Sequence, residues 1–283
     1  MKKILVPCDF SESSLQAYEF ALNLAEKAHA EVFVLKVIDL PFMYETSFGA
    51  TPEYVDPSTL KYLEEDAINK FESIKSRYAR KDKVTFSILR GSVTFMVQRF
   101  AEDNKIDLIV MGTRGASGWK EYWIGSNTEK VVRYSPVPVL AIRKSFDISK
   151  IKNIVFPTTL HLDQNELISR VKELQFFFSA TLHLLLVNTP GNMLRTKEEM
   201  DLMEEFARHY NLSHYTLNTR NDFSEQDGII NFTHEVKADM IAMGTHGRRG
   251  LAHLFIGSVT EDVVNHVDCP IWTFSVRNKN SKH

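Results

Sequence analysis

DLIVMGTRGASGWKEYWIGSNT, residues 107–128, returns as DMIAMGTHGRRGLAHLFIGSVT at residues 239–260. A constant shift of 132 carries Gly112 onto Gly244, Gly115 onto Gly247, Gly118 onto Gly250 and Gly125 onto Gly257. Each copy is an apolar run of strand type that ends in Met-Gly-Thr and passes into a glycine-punctuated loop. Upstream the match resumes. KILVPCDFS from Lys3 pairs with NIVFPTTLH from Asn153 at a shift of 150, so the second copy is 18 residues shorter between the two blocks. A repeat on this scale means one architecture built twice. With 283 residues and about 100–200 residues per domain, the expected division is 1–144 and 150–277, with a polar tail at 278–283. The joint falls in KSFDISK, residues 144–150.

The pattern inside the first copy alternates. Ile4–Val6, Val32–Ile38, Val84–Leu89, Leu108–Met111 and Val137–Ile142 are short apolar runs that read as strands. Leu15, Tyr18, Ala21, Leu22 and Ala25 share one helical face, and further helices are expected across Leu60–Tyr78, Val93–Glu102 and Thr128–Tyr134. The second copy keeps this order, with strands at 153–156, 181–187, 213–217, 239–243 and 270–275. Strands alternating with helices imply an α/β fold: two tandem Rossmann-like domains, each a five-stranded, mainly parallel sheet with helices on both faces.

Composition removes several function classes. A net charge of -2 provides no basic field for nucleic acid. In MKKILVPCDFSE, Asp9 and Glu12 interrupt the apolar run before it reaches the roughly 7–15 residues of a signal peptide. No stretch approaches the ~18 apolar residues of a membrane helix. Two cysteines, Cys8 and Cys269, form neither a disulfide framework nor a zinc ribbon and fit a reducing compartment. The reading is a cytoplasmic protein with no nucleic acid and no membrane among its partners. Nine of the ten histidines follow residue 150, yet none has metal-ligand spacing, so no metal site is expected. There is no P-loop and no G-x-S-x-G elbow.

In a doubly wound sheet a ligand sits beyond the carboxyl ends of the strands, where the strand order reverses. Gly112 and Gly115, followed nine residues later by Gly125-Ser126, let backbone amides approach a phosphate. Ser126 opens the next helix, whose free amides favour an anion. Two plainer readings stand beside this one. Glycines after a strand also mark simple turns, and Ser126-x-x-Glu129 and Ser258-x-x-Glu261 are also capping boxes.

Gly-x2-Gly-x9-Gly-Ser behind a Met-Gly-Thr strand end resembles the nucleotide motif of the ATP-binding branch of the universal stress protein family, whose domains are of the HUP type. VPCDFSESS resembles that family's first strand and adenosine-contacting aspartate, and PVPVLAIR its final, dimer-forming strand. The resemblance implies an ATP-binding module of the stress response whose nucleotide state alters shape or partners. It implies that Asp9 accepts hydrogen bonds from adenosine, with Pro7 and Cys8 at the same strand end. Val37 would offer backbone groups and an apolar face to adenine, and Met111 would pack near sugar and base. Gly112, Gly115, Gly125, Ser126, Asn127 and Thr128 would surround the phosphates of ATP or ADP, with or without Mg²⁺, and Arg114 would neutralise charge. Cys8 reads as a small packing residue rather than a reactive thiol.

The second copy departs from this pattern at the adenosine-contacting position. Thr159 stands where the first copy has Asp9, so the carboxylate is missing. Its anion loop, Gly244, His246, Gly247, Gly257, Ser258 and Val259, is complete and more basic. The second copy also lacks a counterpart of residues 42–58, a stretch that reads either as a cover for the first site or as an ordinary loop. Binding of another anion, or a structural role, ranks above ATP there. Phosphoryl transfer needs a metal holder and a group that orients the nucleophile. Around residues 112–128 Glu121 is the only acid, so no catalytic residues are assigned. A slow ATPase or phosphotransferase in the same pocket, and a scaffold without a ligand, remain as alternatives. The apolar strands 137–142 and 270–275 invite edge pairing. An intrachain pseudo-dimer is therefore expected, while a homodimer of whole chains is compatible with the sequence and not required by it.

Overall fold

The computed structural model describes residues 1–39, 56–77, 83–113, 125–191, 196–245, 263 and 266–275. The first half runs β1 (Lys3–Pro7), α1 (Glu12–Ala28), β2 (Glu31–Ile38), α2 (Pro57–Arg77), β3 (Val84–Arg90), α3 (Val93–Asp103), β4 (Leu108–Gly112), α4 (Ser126–Tyr134) and β5 (Val139–Ile142). One turn of 3-10 helix, Ile148–Lys150, leads into the second half. There the order is β6 (Asn153–Pro157), α5 (Asn165–Phe178), β7 (Thr181–Asn188), α6 (Thr196–His209), β8 (Tyr215–Asn221), α7 (Glu225–Glu235), β9 (Met240–Gly244) and β10 (Ile271–Phe274). The expected α/β class holds for both copies. Residues 40–55, which include most of the stretch considered as a cover, lie outside the described residues.

Local chemistry sets the helix ends. Ser11 caps α1 by accepting from the Ser14 amide, which satisfies one of the amides a helix start leaves open. The helix stops at His29, in the left-handed region at φ 51°, and α5 stops the same way at Ser179, also at φ 51°. These two stops are 150 residues apart, the same shift that relates the two chain starts.

All ten strands form one sheet in the order β3-β2-β1-β4-β5-β10-β9-β6-β7-β8. Pairing is parallel throughout each half. Only at the centre does direction change, where β5 and β10 run antiparallel with Leu140 opposite Trp272. Pro138 and Pro270 stand just before these strands. Neither has an amide to donate, but their carbonyls accept from Ile109 and Ile241 at 3.0 and 3.1 Å.

The two faces of the sheet are covered differently. On one face a single core passes through both halves, from Ile4, Val6 and Phe20 through Leu140, Ile142 and Trp272 to Phe156, Leu184 and Phe206. On the other face the core is divided. Leu5, Leu35, Ile109 and Met111 pack with α3 and α4 in the first half. Val155, Leu185, Ile241 and Met243 pack with α7 in the second. Alternate residues of each strand therefore serve different cores, as the two-residue period of a strand requires. Across the centre, Lys27 of α1 lies 5.0 and 5.2 Å from the ring centroids of Phe177 and Phe178. Lys144 reaches Asp268 at 2.8 Å, a contact more than half exposed and worth at most about 1 kcal/mol. The buried strands and the shared core carry the join.

A proline at Leu140 removes an amide from the strand that links β4 to β10. Leu140→Pro should open the molecule at its centre. In solution scattering its radius of gyration should exceed that of the wild-type monomer; an unchanged profile would show that other contacts hold the halves.

Candidate functional site

The carboxyl ends of β1, β2 and β4 meet the start of α4 around a cleft of about 310 Å³. Its lining contains Pro7, Cys8, Asp9, Val37, Met111, Gly112, Gly125, Ser126, Asn127 and Thr128. Ten candidates chosen from the sequence are thus brought to one place. Arg114 and Gly115, the other two in this half, lie outside the described residues. Ser14, Leu35 and Val93 also line the cleft and were not singled out from the sequence. Leu35 had a usable signal, since it is two residues from Val37 and so shares its face of β2. Val93 is the first residue of α3 and returns over the site from a strand that is not itself at the crevice.

Asp9 is placed by the turn after β1. The Cys8 amide donates to the Leu35 carbonyl at 2.9 Å, which continues the strand ladder one residue beyond Pro7. Phe10 then takes φ 68°, uncommon for a bulky side chain. Packing holds it there: its ring lies 6.3 Å from Phe86, and Lys36 sits 5.7 Å from its centroid. The Asp9 carboxylate is exposed, and its Oδ1 accepts from the Ser11 amide at 2.9 Å and from the Ser11 hydroxyl at 2.5 Å. The side chain is thereby oriented before any ligand arrives. Cys8 is buried against the Ser14 hydroxyl, 3.5 Å away, and burial pushes its thiol pKa up. A thiol held protonated is a poor nucleophile, in keeping with a packing role.

Gly112 ends β4 under the start of α1. A Cβ on it would lie 2.5 Å from the Ser13 carbonyl oxygen and 2.6 Å from its carbon. The glycine is therefore demanded by backbone packing whether or not a phosphate approaches. Its carbonyl accepts from the buried Thr128 hydroxyl at 2.9 Å, and the Gly125 amide donates to the Thr113 carbonyl at 2.7 Å. These two bonds bring the start of α4 back to the end of β4. The capping-box reading of Ser126 and Glu129 is corrected: the N-cap is Gly125, which has no side chain to cap with, and Ser126 is already inside the helix. The Ser126 side chain lines the cleft instead of closing the helix.

In the second half Pro157, Thr158 and Thr159 follow the same course. The Thr158 amide donates to the Leu185 carbonyl at 3.0 Å, and Leu160 takes φ 62°. Gly244 ends β9 as Gly112 ends β4, but its closest neighbour would be the Leu167 Cδ2, at 2.6 Å. His246, Gly247, Gly257, Ser258 and Val259 lie outside the described residues, as does the Ser258-x-x-Glu261 pattern. At the end of β7 the buried Asn188 amide donates to Glu199 of α6 at 2.9 Å and to Asn221 of β8 at 3.1 Å, where the first half has Ile38 opposite Arg90. Among the described residues no group of His, Cys, Asp and Glu has the arrangement of a metal site.

The Universal stress protein family model matches residues 1–143 and again residues 150–275. The chain belongs to that family. Over 144 residues it is 34% identical to Universal stress protein MJ0531 of Methanocaldococcus jannaschii, covering 50% of this chain and 82% of that protein. Over 145 residues it is 30% identical to Universal stress protein YxiE of Bacillus subtilis, covering 50% of this chain and 98% of the relative. A universal stress protein from Archaeoglobus fulgidus has the same fold end to end, with a TM-score of 0.74 over 96% of both chains at 21% identity. No helix among the described residues is long and apolar enough to cross a membrane.

The glycine contacts predict an asymmetry. Gly112→Ala drives a methyl into backbone and should cost about 1–3 kcal/mol. Gly244→Ala meets the tip of a leucine that can turn away and should cost less. Urea midpoints of the two variants measure the difference.

Charge gives a second expectation. Burial pushes the Glu225 carboxyl up to about 7, whereas the unfolded chain ionises nearer 4.3. Between those values the folded state keeps a proton that the unfolded state has lost, so stability falls as pH rises through that window. Glu225→Gln should therefore raise the urea midpoint at pH 8 and leave it nearly unchanged at pH 4.5. Equal effects at both pH values would contradict this.

Proposed function

We propose that the chain is an ATP-binding regulatory module, with the nucleotide held in the cleft of residues 1–144. One observation carries the reading: residues far apart in sequence that the family motif would place on ATP line a single cleft. Asp9 presents a pre-oriented acceptor suited to adenosine hydroxyl or amino groups. Val37, Leu35 and Met111 offer apolar surface to the base. Ser126 and Asn127, at the start of α4, offer amides and the positive helix end to phosphate. Arg114 and Gly115 would complete the phosphate side.

The module binds and does not turn over efficiently. Asp9 is the one acidic residue in the cleft lining among the described residues, and its Oδ1 is engaged by Ser11. Slow hydrolysis is the second reading, and it would use the same pocket. The paired β5 and β10 support an intrachain pseudo-dimer, in which the second half covers the edge that a single domain would expose.

Calorimetry with ATP and Mg²⁺ should show one site per chain. Gly115→Asp, which sets a carboxylate against the phosphates, should abolish most of the binding. Asp9→Ala should weaken it about tenfold or more, the loss of a hydrogen bond to a charged group. Phosphate release should stay well below the ~1 s⁻¹ at the lower end of ordinary enzymes. No binding at millimolar ATP, or two equal sites, would overturn the proposal.

A further inference from the structure

Ser11 is bonded in two directions. Its hydroxyl donates to Asp9 Oδ1 at 2.5 Å, a length typical of a charge-assisted bond, and its amide donates to the same oxygen at 2.9 Å. The hydroxyl oxygen also accepts from the Ser14 amide at 3.4 Å and so caps α1. A serine hydroxyl can do both at once, because it has one proton to give and lone pairs to receive with. One oxygen thus joins the carboxylate at the cleft to the first turn of the helix.

That first turn is itself held in place. The Ser13 carbonyl oxygen lies 2.5 Å from where a Cβ on Gly112 would be, and Ser14 lines the cleft. The Ser11 carbonyl accepts from the Leu15 amide at 3.0 Å and from the Ser14 hydroxyl at 3.0 Å. Asp9 is therefore oriented against an element whose own position is fixed by close packing. A carboxylate held in this way loses little side-chain freedom when a ligand arrives, and that loss is part of the cost of binding.

The second half has the same turn without this link. Thr159 and His161 stand at the positions of Asp9 and Ser11, so the acceptor and its donor are exchanged together. Leu160 keeps the left-handed conformation of Phe10, at φ 62°, but its amide is received by Thr158 Oγ1 at 3.1 Å. α5 begins at Asn165, three residues later than the shift of 150 would carry the start of α1, and its N-cap, Gln164, makes no side-chain capping bond. The nearest atom to a Cβ on Gly244 is then a leucine tip in place of backbone. The left-handed turn forms in both halves, so it does not require the Asp9–Ser11 pair. What the pair adds is a fixed direction for the carboxylate.

We propose that Ser11 is a positioning residue for the nucleotide, acting through Asp9 and touching no ligand itself. It is not among the residues that line the cleft. The proposal rests on ATP binding in the first cleft, and a double-mutant cycle on the full chain tests it by calorimetry with ATP and Mg²⁺. Ser11→Ala should weaken ATP binding about threefold to tenfold, the cost of ordering a side chain that was held before. In an Asp9→Ala background the same substitution should change binding by less than about twofold, because the group it positions is gone. A loosening of α1 alone would weaken binding equally in both backgrounds. Ser11→Thr, which keeps the donor and the cap, should bind ATP as the wild type does. Ser11→Gly caps a helix nearly as well but has no hydroxyl. It should lose binding as Ser11→Ala does, and its cycle decides the matter if the alanine variant does not fold. Equal losses with and without Asp9, no loss in the alanine and glycine variants, or no rescue by threonine would overturn the proposal and leave ATP binding standing. A wild type that binds no ATP would overturn both.

Discussion

The first cleft depends on a single close approach, the Ser13 backbone lying over Gly112. With a carbonyl oxygen 2.5 Å from where a Cβ would be, no side chain fits, and the start of α1 is brought down onto the end of β4. That approach fixes what surrounds it. The turn from Pro7 to Ser11 has little freedom once both of its ends are placed, and Phe10 absorbs the mismatch in a left-handed conformation. Such a conformation costs about 1–2 kcal/mol for a residue with a side chain, and packing of the ring against Phe86 offsets it. Asp9 is aimed by this turn. On the other side the Gly112 carbonyl receives the Thr128 hydroxyl, which sets the start of α4 and therefore the amides that face the cleft.

The same constraint shows why glycine spacing alone is ambiguous evidence for a phosphate site. Gly112 has a packing reason sufficient in itself, and Gly244 has a weaker one, since only a leucine tip opposes it. What favours a ligand at the first cleft is the set of groups that packing does not demand. Asp9 is exposed, and Ser126 lies inside its helix without capping it.

The alternation of short apolar runs with segments of helical spacing made the succession of strands and helices in the first half readable, and the repeat at shifts of 132 and 150 extended it to the second. Residues directly behind β1, β2 and β4 were legible as site candidates because the rule for doubly wound sheets points to those strand ends. Val93 was not. It follows the third strand of its half, which the rule places away from the crevice, and it reaches the site only because its helix crosses back over the sheet. The capping box failed for a related reason. The sequence cannot distinguish a serine that caps a helix from one that begins it, and the Gly125 amide bound to the Thr113 carbonyl moves the boundary by one residue. The network of Asn188, Glu199 and Asn221 carried no pattern at all, since its members lie on β7, α6 and β8 and become neighbours only on folding.

The antiparallel seam has a consequence for how two sites in one chain could communicate. Every strand of the first half is parallel to β5 and every strand of the second to β10, so antiparallel pairing of β5 with β10 puts their carboxyl ends at opposite edges of the sheet. The strand ends that carry Gly112 and Gly244 therefore face opposite sides of the molecule, and no single small ligand can touch both. Any influence of one on the other must pass through the middle of the sheet. The route is short and rigid: β4 and Gly112 pair with β5 and Ile142, β5 pairs with β10, and β10 pairs with β9 as far as Gly244. At both ends a threonine amide behind the glycine, Thr113 in one half and Thr245 in the other, donates to the last residues of β5 and β10 at 2.9 Å. A shift of Thr113 or Thr245 therefore acts directly on a central strand, whose other neighbour is the central strand of the opposite half. Fusion of the two domains into one chain thus makes a shared sheet the physical link between the strand ends of the two halves.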